Sequence, residues 1–503
     1  MKMNFIQIQN IIILILGVFS FSLQIYAEDN SVDLSVNDFE EQVNAEPEPK
    51  AYDFKSLYEM MLKNNGAYQS ALLRYEASKY DAGRATASFF PSITFNGGYG
   101  KVSEKNENID QPFANSNVDT SSSESASPSL DGINFDGSSV PNQGDFDSVS
   151  ASIDILQPII DKQRWNNIRR SKSQAKESFY DFSVERERLI LSLLSVYTSI
   201  LNANDEFRIL KNELNDLKKH QKLTKRRHEE GLGTLTDVYE AQSRLQLAES
   251  DFLQAKFDQK RFRNELSVLV GKKVEWLNQV NDGFEITLDN ALIEADLDGV
   301  DSNDVKLAKQ RVKSAKYELR RRKSSFSPTL NLTAQSSFNS TSFSRVSNET
   351  NNYSEQVMLE LTIPLFSSFG NYADVKSASS LLEAEKALLI NTELESNNNI
   401  QTSLESYETS YYRLIALQNA YLSSKKALVL REKAFLEGVS SNLDLLDALR
   451  DSYSAERSWR SAIYEFIESK LMLIGSYREI NDVDIDNVNS VFLTKRAEQR
   501  LNN

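Results

Sequence analysis

Three carboxylates are placed where they could act together. Asp237 closes the stretch Glu230-Gly-Leu-Gly-Thr-Leu-Thr-Asp237. Asp444 closes its echo 207 residues on, Glu437-Gly-Val-Ser-Ser-Asn-Leu-Asp444, and Asp447 follows one turn later. The simplest chemistry is local: an anion in the first turn of a helix complements the free N–H groups there, worth ~0.3–1 kcal/mol. A second chemistry needs symmetry. If copies of the chain shared an axis near Asp444 and Asp447, their carboxylates would form a ring that holds cations and excludes anions at a constriction.

No other constellation competes. The chain has no cysteine, so thiol nucleophiles and disulfides are excluded. His220 and His228 lie eight residues apart and read as solvated helix residues, because no Cys or carboxylate set accompanies them at metal spacing. Gly231-Leu-Gly233 lacks the preceding strand and the following Gly-Lys-Ser/Thr of a nucleotide loop. Arg320-Arg-Arg-Lys323 reads as a solvated helix end that anionic lipid headgroups could use. With 57 basic against 72 acidic side chains, the net charge of −15 argues against nucleic acid. No catalytic set, cofactor site or metal site is visible, and an enzyme is not expected.

The aspartate stretches interrupt long, Pro-free, heptad-patterned segments. Glycine at 231 and 438 supplies a left-handed C-terminal cap, and Thr234, Thr236, Ser440 or Ser441 can cap the next helix. Before the first turn, Leu189, Leu193, Val196, Ile200, Ala203, Phe207, Leu210, Leu214 and Leu217 keep 4-3 spacing. After it, Val238, Ala241, Leu245, Ala248, Phe252, Ala255, Phe262, Leu266 and Leu269 return, with Gln259 the polar interruption. Adding 207 gives Leu445, Ala448, Ser452, Ala455, Trp459, Ala462, Phe466, Ser469 and Leu473. The chain is therefore an internal repeat of coiled-coil hairpins.

Four segments switch to a two-residue period, about 92–101, 147–156, 329–338 and 355–363, each apolar on one face and largely polar on the other. Pro91 and Pro328 stand before the first and third; Pro158 and Pro364 mark the exits of the second and fourth, where proline breaks neither ladder nor helix. Such strands of about nine residues match an outer-membrane barrel. Four cannot close one and open edges are not tolerated in lipid, so the chain must oligomerise, with three copies and twelve strands preferred because they leave a polar lumen. Trp165 then falls at the barrel–helix junction, a fitting place for an interfacial aromatic.

The N-terminus carries Lys2 and an apolar run from Ile11 to Leu23, read as a cleavable signal of residues 1–27. The expected organisation continues with a flexible segment at 28–50, a first repeat at 51–273, a connector at 274–300, a second repeat at 301–476 and a partly disordered end at 477–503. The polar insert Ser103–Asp145 and the loop Asn339–Ser354 read as exposed loops on one side of the sheet.

With Phe-Phe-Pro91-Ser-Ile, Leu156-Gln-Pro-Ile-Ile-Asp-Lys-Gln-Arg-Trp165, Gly231 to Val238, Pro328-Thr-Leu-Asn-Leu, Ile363-Pro-Leu-Phe366 and Gly438 to Asp447 in order, the chain resembles the TolC family of outer-membrane efflux proteins from about Tyr52 to Asp484. The resemblance implies a mainly α protein with a membrane β-barrel. Four strands per chain would complete a twelve-stranded barrel in a homotrimer, above a long periplasmic α-barrel that narrows to a closed tip. The mid-chain segment and the terminal region would form an equatorial belt. It implies a periplasmic adaptor (membrane fusion) protein and an inner-membrane transporter of ABC, RND or MFS type as partners, in tripartite efflux or type I secretion of drugs, toxins or proteins. By the same resemblance Asp444 and Asp447 ring the tip, Asp237 helps latch it, and Phe435 sits at an aromatic latch position. Gly231, Leu232, Gly438 and Val439 meet the adaptor. Ser440 stands where the latching arginine is usual, so that ion pair cannot form here, and Ser367-Ser-Phe-Gly370 replaces a frequent paired glycine. The rival expectations are a secreted structural or adhesive coiled-coil fibre, which leaves the two-faced strands unexplained, and a soluble periplasmic adaptor, whose lipoyl-like domain is not visible.

Overall fold

The computed structural model describes residues 52–102, 146–274, 276–280, 287–289, 302–343, 349–366 and 369–492. The expected signal, the 28–50 segment, the whole Ser103–Asp145 insert, much of the connector and the end beyond 492 lie outside these residues.

Two helices open the described chain, α1 (Phe54–Asn64) and α2 (Gly66–Ala87). The break falls where Asn65 leaves the helical region and its side chain accepts from the N–H groups of Ala67 and Tyr68. Strands β1 (Ser92–Val102) and β2 (Phe146–Asp161) follow, then α3 (Lys162–Glu229) and α4 (Leu235–Val270). The second half repeats the order with α5 (Asn303–Lys323), β3 (Thr329–Phe343), β4 (Glu349–Thr362), α6 (Gly370–Leu436) and α7 (Asn442–Tyr477). The ends of α3 and α6, the starts of α4 and α7, and the ends of α4 and α7 are each 207 residues apart. With 68 and 67 residues, α3 and α6 each run ~100 Å at ~1.5 Å per residue.

The strands form one antiparallel sheet in the order β1-β2-β3-β4, so the two repeats meet through the β2–β3 ladder. Register brings Ile93, Ile155, Ala334 and Val357 into one row across all four strands, and Thr94, Asp154, Gln335 and Gln356 into a row on the opposite face. The apolar face is not uniform: Phe95 and Ile153 continue into Ser336 and Glu355. Its large side chains remain uncovered, with Phe95, Tyr353, Val357, Leu359 and Leu361 all more than 60% exposed. The strands run longer than their apolar periods. Pro158 corrects the expected exit of the second strand: β2 passes through it to Asp161, and the register shifts between Pro158 and Ile160. A bulge absorbs the missing N–H. Pro91 and Pro328 do precede β1 and β3, and Pro364 lies just beyond β4.

The helices pack on one another. The 4-3 seam of α3 is buried from Leu189 to Leu217 apart from a half-buried Phe207, and the interruption at Gln259 is answered by Asn204, whose Oδ1 accepts at 2.8 Å. Between α3 and α5 the seam is small and polar: Gln310 donates to the carbonyl and hydroxyl of Ser173, and Asn166 donates to Ser324. The main core gathers α1, the middle of α3 and the ends of α4 and α7. There the Tyr197 ring meets those of Phe54 and Phe492 edge to face, and Phe54 and Phe492 lie tilted to each other. Of the end expected to be partly disordered, 477–503, the structure describes 477–492, and that part is mostly helical. Helix α7 continues to Tyr477, and α8 (Asp482–Val491) docks on α1 through Ile485, Val488, Val491 and Phe492. Asn489 and Asp486 bind Asp53 and Lys55.

Candidate functional site

The two hairpin turns are built alike. Gly231 and Gly438 have φ of +74° and +77°, and nothing lies within 4 Å of where a Cβ would stand. Backbone conformation, not crowding, selects glycine there. Leu232 and Val439 then donate their N–H groups back to the carbonyls of Arg227 and Ala434 at 2.7 and 2.8 Å, and both side chains stay exposed.

Of the four candidate caps, Thr234 and Ser441 are used. Thr234 Oγ1 accepts from the Asp237 N–H at 3.1 Å while the Asp237 carboxylate accepts from the Thr234 N–H at 2.9 Å. Ser441 and Asp444 repeat the exchange at 3.2 and 3.1 Å, a reciprocal capping box in each hairpin. The hydrogen bond from Ser441 does most to hold the Asp444 carboxyl below the usual carboxylate range. Ser440 donates to the same carboxylate at 3.3 Å, and Arg431 stands 3.9 Å away. The local chemistry of Asp237 and Asp444 is therefore realised within each chain.

Asp447 does something different. Arg244 of α4 donates to it at 3.0 Å, and Arg450 approaches to 3.6 Å. The first pair ties the return helix of one hairpin to that of the other inside a single chain. Sequence reasoning missed Arg244. An arginine midway along a charged helix carries no local signature, and its partner lies 203 residues away.

His220 corrects the expectation of a solvated side chain. It is 6% exposed on α3, and its Nε2 lies 2.7 Å from Oδ1 of Asn442, the first residue of α7. Asn442 is buried as well, and its amide donates to the Asp237 carbonyl and the Glu240 carboxylate, each at 3.4 Å. Phe435 packs its ring 5.4 Å from the imidazole, and the Arg227 guanidinium lies over the Phe435 ring, 4.7 Å from its centroid. The expected latch position is thus a buried plug under the second turn. Leu214, Leu217, Leu245, Leu445, Leu446 and Leu449 close a small apolar core around it. His228 stays at the surface with Nδ1 3.1 Å from the Gly233 carbonyl.

At the opposite end of α3, Trp165 is half exposed, edge-on to Phe89 at 5.8 Å, with Arg169 above its ring. The 320–323 cluster is not simply solvated, which corrects that expectation. Arg321, Arg322 and Arg170 converge on Glu318, and Arg322 also reaches Asp374. The hydrogen bond from Arg321 leads in pulling the Glu318 carboxyl down to about 2. Among the described residues no group of three or more His, Asp or Glu side chains could hold a metal, and no helix is long and apolar enough to cross a membrane.

This combination has counterparts. Alkaline protease secretion protein AprF of Pseudomonas aeruginosa is 26% identical over 366 residues, 71% of this chain and 75% of that protein. Outer membrane protein TolC of Vibrio cholerae is 24% identical over 358 residues, 68% and 80% of the two chains. Among solved structures, the CmeC outer membrane channel of Campylobacter jejuni superposes with a TM-score of 0.68 at 16% identity, covering 93% of this chain and 97% of that one. VceC of Vibrio cholerae superposes with a TM-score of 0.65 at 16% identity, covering 84% and 95%. The family is one of efflux proteins, not enzymes. Because the outer membrane efflux protein model matches residues 57–272 and 300–469, one stretch for each strand-and-hairpin repeat, the chain belongs to the outer membrane efflux protein family and is a protein of the outer membrane.

Proposed function

We propose that three copies of the chain close a twelve-stranded barrel in the outer membrane. Their hairpins would form a periplasmic tube through which substrates pass passively. The supporting observation is the sheet: among the described residues, four antiparallel strands have an exposed apolar face, two unpaired outer edges and no helix packed over them. In lipid that arrangement is tolerable only when further copies pair with the edges. Trp165 and Arg169 would sit at headgroup level. An inner-membrane pump would deliver the cargo through a periplasmic adaptor that meets the exposed Leu232 and Val439 beside Gly231 and Gly438. AprF and PrtF of Dickeya chrysanthemi are by name protease secretion proteins; their similarity favours a protein cargo and a type I secretion partner.

The hairpin tips would be the gate. Asp444 and Asp447, half exposed and repeated threefold, would line the constriction, while Arg244–Asp447 and the Asn442–His220–Phe435 cluster would hold each second hairpin against the first. These ties supply what Ser440 cannot. Membrane fractionation followed by a semi-native gel tests the assembly: an outer-membrane trimer is expected, whereas a soluble fibre or monomer would refute it. Single-channel recording tests the gate, because Asp444→Ala/Asp447→Ala should weaken cation preference and block by multivalent cations. Unchanged values would remove both residues from it.

A further inference from the structure

We infer that His220 is the residue that keeps the second hairpin seated on the first, and that a proton on its ring releases it, so that the tip opens more readily in mildly acidic medium. The inference rests on the reading of the hairpin tips as a gate.

The hydrogen-bond directions fix the state of the ring. The Asn442 amide nitrogen faces two acceptors, the Asp237 carbonyl and the Glu240 carboxylate. Its Oδ1 therefore faces His220, and the proton sits on Nε2. A second proton would fall on Nδ1, which meets no hydrogen-bond acceptor among the described residues. It would also place a full charge on a largely buried ring packed against Phe435.

The surrounding charges do not repay that cost. On α3 itself the facing group is Arg227, a like charge stacked on the same phenyl ring. From α4 come Asp237, whose carboxylate is held in its own capping box, and Glu240, separated from the imidazole by Asn442. From α6 the contact is Phe435; Arg431 there faces Asp444, and Glu432 faces Lys219. From α7 come Asn442 and, two residues on, Asp444. Burial is the largest influence and lowers the His220 pKa; the Asn442 bond opposes it, Arg227 adds to it and Asp237 opposes it.

The sign follows. The ring binds its proton less readily in the closed tip than in an opened, hydrated one, where it would titrate near ~6.5. The closed arrangement has its full advantage above that pH and loses it as pH falls through the lower, closed-state value. Asp444, held below the ordinary carboxylate range, titrates well outside this window, so the two effects separate.

Planar-bilayer recording of the full chain between pH 7.5 and pH 5.5 tests this. Wild type should show an open probability that rises at least ~3-fold across the window. His220→Gln, which keeps an amide N–H for Asn442 and cannot titrate, should lose that dependence while staying closed at pH 7.5. An unchanged rise in His220→Gln overturns the inference. Should the variant fail to assemble, hydrogen exchange of the wild-type amides at 231–237 and 438–447 decides, after correction for intrinsic rates: lower protection at pH 5.5 supports the inference and equal protection overturns it. The gate reading fails separately, through unaltered selectivity in Asp444→Ala/Asp447→Ala.

Discussion

Arg244 and Asp447 meet at 3.0 Å with both side chains about a third exposed or more. Such a pair contributes little to folding, ~0–1 kcal/mol, yet it spans the boundary between hairpins, where that amount would shift the proposed opening equilibrium several-fold. Arg244→Ala should leave the thermal midpoint of the assembled protein within a few degrees of wild type and raise open probability at neutral pH; no rise in single-channel recordings would confine the pair to a surface role. Glu187 offers a cleaner pH experiment. Burial raises its pKa to about 7, and Asn303 donates to it at 2.8 Å. A carboxyl raised in the native state destabilises as it ionises, so stability should fall from about pH 4.5, the ordinary glutamate value, through about pH 7. Glu187→Gln should therefore stabilise by on the order of 2 kcal/mol at pH 8 and by almost nothing below pH 4.5, read from thermal melts at the two pH values. At this scale the sequence was partly legible. Asp237 and Asp444 stood out because a capping box is a local pattern of spacing three. His220 did not, because its burial depends on Phe435 and Asn442, more than 200 residues away.

The elements were the most legible, because heptads and two-residue periods are written along the chain. The places where they misled are physical. Pro158 suggested a strand end because proline cannot donate, and β2 accommodates it with a bulge. The end from 477 on reads as partly disordered, yet four apolar side chains are enough to seat α8 and Phe492 against α1. Phe492 is fully buried and stacks 4.7 Å from Tyr197. Phe492→Ala should cost ~3–5 kcal/mol and free α8 from α1, seen as a lower thermal midpoint and as new proteolytic cleavage between 478 and 492. Intact protection of that segment would contradict the packing account. Gly271 closes α4 at φ +73°, and a Cβ there would stand 2.7 Å from Asn64 Cβ. Gly271→Ala should therefore destabilise by more than the ~1–2 kcal/mol of the left-handed conformation alone, whereas Gly231→Ala, in open space, should cost only about that much. Equal shifts in thermal midpoint for the two variants would rule out the clash.

At the scale of the whole molecule, the proposed reading joins the four strands and the long hairpins in one larger closed object. The need for closure was visible in the sequence because strand number, strand length and face polarity can be counted. Three copies were preferred over two because eight strands would fill their own lumen with side chains. The cargo was not legible, because a duct of the proposed kind would recognise little and leave selection to the pump that feeds it. The most direct test of the duct is the conductance of the purified protein in a planar bilayer, recorded beside its mass in detergent. The account predicts a three-copy particle with discrete, cation-selective openings. A one- or two-copy particle, or a three-copy particle without conductance even in Arg244→Ala, would contradict it.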